Sequence, residues 1–347
     1  MKTDFKRVCI VYTPYSLYLY LLYSNEEELN NTFFFFGEGI HKGIRDKFEN
    51  KYFFSDECYS RRNVLSRLIY RIKLRNQSRK IWPFLADAHI FAQDIFFFSA
   101  ALIGKRNYTM IEDAPNVIHR WRNLLNKPKS IYTNILITVK ELFHKYMENS
   151  FYGEMGFNAQ CNSVLITNAE YDPILKDKQV IQVDEMDYWY KSTESKKNKI
   201  LSIYDLTEED LTQLKKRKII LFSENFTSIG WITEQELVDI YAQRLDKYAA
   251  DEIIIKKHAF DRTDYRKHFP NIYVFDKVIP MQLLNLLGIH YETAITICSS
   301  AVLSFPYDIQ IEWIGTECHP KLLAAMGKQS LADYKIQRPA YNNNQKA

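Results

Sequence analysis

The sequence has few residues that break or cross-link a chain. It contains 10 glycines, 10 prolines and 5 cysteines among 347 residues, and no two cysteines form a C-x-x-C pair. Scattered cysteines argue against a disulfide scaffold and a structural zinc site, and they are typical of a reducing compartment. No internal repeat is visible, and the scarcity of glycine and proline argues against repeats built on tight turns.

Metal and membrane signatures are also missing. There is no H-E-x-x-H motif and no Asp-x-Asp triplet, the motif that often holds a divalent ion on a nucleotide diphosphate, so we predict no metal site. The apolar run 8–23 is interrupted by Pro14 and falls short of the ~20 apolar residues that a spanning helix needs. No small-residue cleavage site follows the run. We therefore interpret it as a strand, a turn and a helix rather than a signal peptide.

The composition is that of a globular protein with a full core. Hydrophobic residues make up 46% of the chain, charged residues 25% and aromatic residues 15%. These proportions exclude a chain that is mainly disordered. The length suggests two domains.

Short apolar runs alternate with helical patterns along most of the chain. The predicted strands are Val8–Tyr12, Thr32–Phe36, His89–Phe91, Tyr108–Ile111, Ser163–Thr167, Ile219–Phe222, Glu252–Lys256, Ile272–Phe275 and Ala294–Ile297. Helices are predicted between them, at Leu17–Leu22, Asp94–Ile103, Glu234–Tyr248 and Met281–Leu287. Right-handed crossovers then predict two doubly wound, Rossmann-like α/β domains that face each other across a cleft.

A linker separates the two predicted domains. Residues 191–199 contain no apolar side chain, which favours a boundary there. We predict an N-terminal domain over residues 1–190, a second domain over 191–335 and a polar tail over 336–347.

Residues 61–80 hold eight basic side chains and no acidic one. Apolar residues recur at helical spacing within them, at Val64, Leu65, Leu68, Ile69 and Ile72, so we predict an amphipathic basic helix. The segment His119–Lys145 is similarly mixed. A solvated helix face is the simpler interpretation, and docking on an anionic membrane is the alternative. Nucleic acid is not a predicted partner, because the net charge is only +4 and no nucleic-acid motif is present.

Polar clusters follow three of the predicted strands. They are Glu112-Asp113, Lys256-Lys257-His258 and Ser299-Ser300. The carboxyl ends of parallel strands face the ligand crevice, where a carboxylate can act as a general base and cations or hydroxyls can bind phosphate. Taken singly, each cluster has a simpler interpretation: a loop or helix cap, a solvated strand end and a helix N-cap.

In this order along the chain, the three clusters resemble the short motifs of the bacterial sialyltransferases of glycosyltransferase family 52, which are related to bacterial polysialyltransferases. The family motifs are an acidic pair followed by Gly, a His-Pro and a Ser-Ser/Thr pair. The matching residues here are Glu112-Asp113, His258 and Ser299-Ser300, with Ala114 and Ala259 where the family has Gly and Pro. The segment Tyr12–Tyr18 is similar to the family's first strand–loop–helix. Ile219–Ser223 is similar to the strand that opens its nucleotide domain.

The resemblance implies a GT-B architecture, with an acceptor-side N-terminal domain and a CMP-binding C-terminal domain. It implies an inverting, metal-independent sialyltransferase that needs no cofactor and moves sialic acid from CMP-sialic acid to a galactose-type acceptor of a surface glycan. Glu112 would be the base, with Asp113 as second choice, and His258 would assist the departing phosphate. Ser299, Ser300, Ser223 and Lys256 would bind the donor.

Such an acceptor, on lipooligosaccharide or a capsular glycan, implies a cytoplasmic enzyme with peripheral contact at the inner face of the membrane. Two alternatives stay open from the sequence. One is a GT-B glycosyltransferase that uses CMP-Kdo or a UDP-sugar, and the other is a non-catalytic nucleotide- or glycan-binding module. The sequence does not indicate the linkage, the acceptor, single transfer versus polymerisation, or the oligomeric state.

Overall fold

The computed structural model describes residues 4–56, 64–114, 156, 160–167 and 178–332. The chain divides into two compact units, Met1–Ile200 and Leu201–Ala347, called unit 1 and unit 2 below. The boundary predicted from the sequence, between residues 190 and 191, lies ten residues earlier. The predictions for His119–Lys145 and for the tail 336–347 lie outside the described residues.

Unit 1 contains a parallel seven-stranded sheet in the order β3-β2-β1-β4-β5-β6-β7. The strands are β1 Arg7–Val11, β2 Thr32–Phe36, β3 Lys51–Phe53, β4 His89–Ala92, β5 Tyr108–Ile111, β6 Cys161–Ile166 and β7 Gln179–Gln182. The helices are α1 Pro14–Tyr23, α2 Glu26–Asn30, α3 Lys42–Asp46, α4 Val64–Ile81, α5 Phe97–Ile103, α6 Glu185–Lys191 and α7 Glu194–Ile203, the last of which runs on into unit 2. The strand order reverses between β1 and β4, the position at which doubly wound sheets bind ligands.

The first βα unit shows why these residues fold this way. Every residue of β2 and all but the first residue of β1 are buried, as expected for strands covered on both faces. Thr13 then caps α1, since its side chain accepts a hydrogen bond from the backbone of Ser16, and Pro14 occupies the first helical position. The predicted strand, turn and helix over residues 8–23 are confirmed.

Unit 2 contains a parallel five-stranded sheet in the order β10-β9-β8-β11-β12. The strands are β8 Ile219–Phe222, β9 Ile253–Lys256, β10 Tyr273–Phe275, β11 Thr293–Thr296 and β12 Gln310–Trp313. The helices are α8 Glu208–Lys215, α9 Glu234–Leu245, α10 Tyr265–His268, α11 Met281–Leu286 and α12 Pro320–Met326. The central strand β8 lies beside β11, and the strand order reverses between these two strands.

The predicted α/β fold class, with parallel Rossmann-like sheets, is confirmed. The described strands that the sequence did not reveal are β3, β7 and β12, and each is an outer strand of its sheet; the fourth outer strand, β10, was predicted. None of the three has a fully buried residue. Their sequences therefore lack the continuous apolar run that marks a central parallel strand.

The predicted linker is helical over much of its length. Residues 191–199 include the last residue of α6 and the first six residues of α7. Helix α7 is held in unit 1 because Ile200 is buried and Lys196 donates a hydrogen bond of 2.6 Å from Nζ to the carbonyl of Leu22. The apolar anchors follow the polar stretch, so the stretch alone does not reveal the helix.

Helix α4 confirms the predicted basic helix, but its buried face is different. Ile69 is 44% exposed, whereas Arg71, Leu74 and Ser78 are buried. These three positions are spaced by three and four residues and therefore share one face of the helix. The predicted apolar stripe is wrong at Ile69. In the ranges described, no helix has the length and apolar character needed to cross a bilayer.

Candidate functional sites

Unit 1 carries a buried polar network at the carboxyl ends of β1, β4 and β5. Its centre is Gln93, which directly follows β4 and is 2% exposed. The amide oxygen of Gln93 accepts hydrogen bonds from the backbone N–H groups of Tyr12 and Thr13, at 2.5 and 3.0 Å. Its amide nitrogen donates to Oδ1 of Asp113 at 2.6 Å. Gln93 thus links the loop after β1 to the acidic pair after β5.

Glu112 is the first residue after β5 and is 1% exposed. Its Oε1 accepts three hydrogen bonds: from the hydroxyl of Tyr15 at 2.5 Å, and from the backbone N–H and hydroxyl of Thr167 at 2.9 and 2.6 Å. The hydroxyl of Ser16 donates to the Glu112 carbonyl at 2.6 Å. Oε2 has no hydrogen-bond partner among the described residues. One oxygen is therefore fixed by the protein, and the other can accept a further hydrogen bond.

The burial of Glu112 changes its acidity. Desolvation raises the pKa of the carboxyl to about 7, although the hydrogen bonds from Thr167 and Tyr15 oppose the shift. A carboxyl with a pKa near neutrality can accept and release a proton at physiological pH. This is the property that a general base requires.

Asp113, the second member of the acidic pair, is only partly buried, and its carboxylate is held by Gln93. The next residue, Ala114, does not adopt a positive φ; among the described residues other than glycine, only Asp205 does. The backbone here does not need the left-handed region that would favour glycine. Alanine therefore fits where the resemblance suggested Gly.

A second buried carboxyl lies in unit 1. Glu185, at the start of α6, is 7% exposed, and its Oε1 has no hydrogen-bond partner within the described ranges. Burial, together with the charge of Glu112, raises the pKa of this carboxyl to about 8. Nothing in the sequence around Glu185 indicates this burial.

Unit 2 presents cations at the end of β9. Lys256, its last residue, is partly buried, and desolvation lowers the pKa of its ammonium to about 8. Lys256 forms no hydrogen bond or ion pair with the described residues. An unneutralised, partly desolvated ammonium at the carboxyl end of a parallel strand is suited to bind an anion.

His258 lies two residues beyond β9. Its Nδ1 accepts a hydrogen bond of 3.2 Å from the backbone N–H of Phe260, so the neutral ring carries its proton on Nε2. Nε2 makes no hydrogen bond to the described part of the chain. Burial and the charge of Lys256 lower the pKa of the imidazole. The ring therefore presents a hydrogen-bond donor to a ligand.

Ser223 directly follows β8, and its hydroxyl is used inside the protein. It donates to Oδ2 of Asp261 at 2.6 Å and accepts the backbone N–H of His258 at 3.0 Å. The residue is 2% exposed. The sequence predicts that Ser223 binds the donor, and this stays a prediction; the structure shows that its hydroxyl also connects β8 to the His258 loop.

Ser299 and Ser300 are partly buried and follow β11. The N–H of Ser299 donates to Oγ1 of Thr296 at 2.9 Å, and its hydroxyl oxygen accepts the N–H of Ala301 at 3.4 Å. Ser299 thus acts as the N-cap of a short 3₁₀ helix, Ser300–Leu303, and its hydroxyl proton can still be donated. The two serines lie at the β8–β11 reversal of strand order.

Glu224, next to Ser223, also lies at this reversal. It is 8% exposed, and Oγ1 of Thr296 lies 3.4 Å from its Oε1. Burial raises the pKa of this carboxyl to about 8, against the effect of a hydrogen bond with the Cys298 backbone. Gln93, Glu224 and Asp261 were all missed from sequence. Gln93 and Glu224 follow strand ends within two residues, so extending the strand-end search to every polar residue would find them.

No group of three or more His, Cys, Asp or Glu side chains in the described ranges is arranged to hold a metal ion.

Comparison with known proteins places this geometry in context. A curated protein of Haemophilus influenzae, described as uncharacterized, is 25% identical over 335 residues, which cover 93% of this chain and 98% of that protein. The fold is similar to a 2,6-sialyltransferase of Photobacterium sp. JT-ISH-224, solved with CMP and lactose. That match has a TM-score of 0.55 and 12% identity and covers 88% of this chain and 71% of the other.

A sialyltransferase from Photobacterium damsela is similar with a TM-score of 0.50 and 12% identity, over 92% of this chain and 79% of that one. At these identities the two structures establish the likeness of fold. The family follows from a sequence model that matches residues 24–321. The chain belongs to glycosyltransferase family 52.

Proposed function

We propose that the protein is an inverting, metal-independent sialyltransferase that transfers sialic acid from CMP-sialic acid to a galactose-type acceptor of a surface glycan. The observation that carries the proposal is Glu112, whose Oε1 is fixed by three donors and whose Oε2 has no partner in the described residues. Family 52 membership supports the reaction class. The CMP and lactose bound to the Photobacterium 2,6-sialyltransferase support the choice of donor and acceptor.

Glu112 acts as the general base in this proposal. The acceptor hydroxyl attacks the anomeric carbon of sialic acid and gives its proton to Oε2 of Glu112. The bond between the anomeric carbon and the phosphate oxygen breaks, and CMP leaves with the electron pair. Tyr15 and Thr167 hold the carboxyl through Oε1 during the transfer. General acid–base catalysis of this kind contributes about 10²- to 10⁴-fold to the rate.

The residues of unit 2 stabilise the departing phosphate. Nε2–H of His258 donates to a phosphate oxygen, where negative charge develops as CMP leaves. Lys256 adds a positive charge that no described carboxylate neutralises, and the hydroxyls of Ser299 and Ser300 donate to the same group. Asp113 is the second choice for the base, but its hydrogen bond with Gln93 favours a structural role.

We further propose a cytoplasmic enzyme with peripheral contact to an anionic membrane, where a lipid-linked acceptor would lie. Helix α4 exposes Lys73, Arg79 and Lys80, and Ile81 at its end is 60% exposed. Anionic lipid attracts basic residues by about 1 kcal/mol each near the surface. Flotation with phosphatidylglycerol vesicles at physiological salt tests the contact, and absence of flotation would refute it.

The transfer is tested by measuring CMP release from CMP-sialic acid with lactose, in EDTA, for the wild type and Glu112→Gln. The matched control is Glu185→Gln, which makes the same change at another buried carboxyl of unit 1. We expect lactose-stimulated release in the wild type and the control, and its collapse in Glu112→Gln. Parallel reactions with CMP-Kdo and UDP-sugars test the alternative donors.

The other outcomes are equally informative. Release from a UDP-sugar or CMP-Kdo alone would reject the sialyl donor but keep the glycosyl transfer. CMP binding without release from any donor, across a panel of acceptors, would favour the binding module. Neither CMP binding nor release would reject the proposed function as a whole.

A further inference from the structure

The loop that carries His258 is closed by a turn without proline. The N–H of Asp261 donates to the carbonyl of His258 at 3.0 Å, which makes Ala259 the second residue of a four-residue turn. Proline is favoured at this position because its ring fixes φ in advance. Ala259 has no such ring, so other contacts must hold the turn.

The side chain of Asp261 supplies those contacts. The carboxylate is 6% exposed and is surrounded by donors. Its Oδ2 accepts the hydroxyls of Ser223 and Tyr265 at 2.6 and 2.8 Å, and its Oδ1 accepts the N–H of Thr263 at 3.0 Å. A buried carboxylate with three donors is satisfied and therefore rigid.

The network reaches the backbone of His258. The Ser223 hydroxyl donates a hydrogen bond to Asp261 and accepts one from the N–H of His258 at 3.0 Å. Asp261 is thus joined to His258 twice, once through the closing hydrogen bond of the turn and once through Ser223. These hydrogen bonds join the loop after β8 to the loop after β9.

We propose that Asp261 is a positioning residue that holds His258 and orients its Nε2 toward the ligand, in place of a proline at residue 259. The inference rests on the proposed role of His258. Asp261 has a second effect, because its charge raises the pKa of the imidazole while burial and Lys256 lower it. The charge of Asp261 also raises the pKa of Glu224, on the loop after β8.

The experiment separates the two effects. Asp261→Asn keeps the size of the side chain but removes its charge and presents an amide to Ser223. We measure kcat and KM for CMP-sialic acid, together with the imidazole pKa of His258 by NMR titration. We expect kcat to fall about tenfold or more, since small misplacements of a catalytic group have effects up to about 10²-fold, and we expect the pKa to fall.

Ala259→Pro is then added to Asp261→Asn. Ala259 has no positive φ, and its N–H donates no hydrogen bond in the described residues, so a proline is compatible with the turn. We expect the double variant to recover several-fold in kcat while the imidazole pKa stays low. The matched control is Asp264→Asn, three residues away and exposed, which leaves both quantities unchanged.

Two results would overturn the inference: a folded Asp261→Asn enzyme with wild-type kcat and imidazole pKa, or a loss of kcat that Ala259→Pro does not relieve. If Asp261→Asn does not fold, Tyr265→Phe removes a single donor and is expected to lower kcat to a smaller extent. A wild type without transfer activity would reject the proposed function, and the NMR titration would still test the link between Asp261 and His258.

Discussion

Both units place an ionisable side chain at the carboxyl end of a parallel strand, but the charges are opposite: Glu112 in unit 1 is an acid and Lys256 in unit 2 is a base. Unit 1 buries an acid, Glu112, at the end of a central strand, and this desolvation raises its pKa to about 7 although neutral donors surround one of its oxygens. Unit 2 leaves Lys256 without a carboxylate partner in the described residues and aims a ring N–H from the loop that Asp261 holds. A proton acceptor needs a dry carboxyl, whereas an anion site needs charge that the protein has not already neutralised.

The largest effect expected from this contrast is a loss of kcat without a loss of CMP affinity. Glu112→Gln removes the proton acceptor but keeps the hydrogen-bonding shape, so kcat should fall about 10²- to 10⁴-fold. CMP affinity, measured by calorimetry, should stay within about twofold, because Glu112 has no part in the proposed phosphate site. A matching loss of CMP affinity would place Glu112 in nucleotide binding instead.

Changes in unit 2 should affect binding as well as rate. Lys256→Met keeps the length of the side chain and removes its charge, and His258→Ala removes the ring donor. Each should weaken CMP about 10- to 100-fold, since hydrogen bonds to charged groups are worth about 1.5–3 kcal/mol. Lys257→Met is the matched control, because Lys257 donates to the carbonyl of Thr263 at 2.8 Å. Equal losses in Lys256→Met and Lys257→Met would mean that only the general charge of this loop matters.

The contrast also shows which parts of the fold the sequence can reveal. The strands Thr32–Phe36, Tyr108–Ile111 and Ile219–Phe222 were predicted with their observed bounds, because each is a short apolar run buried in a parallel sheet. The outer strand β10 was predicted, as Ile272–Phe275, but the outer strands β3, β7 and β12 and helix α7 were missed. These elements depend on contacts with residues that are distant in sequence, such as the hydrogen bond from Lys196 to the carbonyl of Leu22.

The candidate sites divide in the same way. Searching the ends of strands identified Glu112, His258 and Ser299, because a parallel sheet places such residues at one edge whatever the rest of the chain does. It did not identify Gln93 or Asp261. Their roles arise from hydrogen bonds across loops, to residues up to 81 positions away, and no local pattern encodes those partners.

The raised pKa of Glu112 predicts a pH dependence of kcat that arises in unit 1 and not in the proposed phosphate-binding residues of unit 2. With a pKa of about 7, the carboxyl is ionised above neutrality and protonated below it. The value of kcat should therefore fall as the pH decreases below 7, approaching tenfold per pH unit. The limb should shift in Thr167→Val, since loss of the hydroxyl hydrogen bond to the carboxylate raises the pKa of Glu112. An unchanged limb in that variant would assign it to another group.

The smallest expected effect concerns stability and distinguishes Glu185 from Glu112, both of them buried acids of unit 1. Glu185 has a pKa raised from 4.5 to about 8, so the folded state binds its proton more tightly than the unfolded state does. The associated stability is fully present below pH 4.5 and is lost as the pH rises through 8.

Glu185→Gln abolishes this loss without removing a hydrogen bond to Oε1, which has no partner in the described chain. The free energy of unfolding of the variant should exceed that of the wild type at pH 9 and approach it at pH 5. Urea unfolding at the two pH values measures the difference, and the exposed Glu27→Gln serves as control. If Glu185→Gln raised the free energy of unfolding equally at both pH values, its effect would come from packing and not from the ionisation of Glu185.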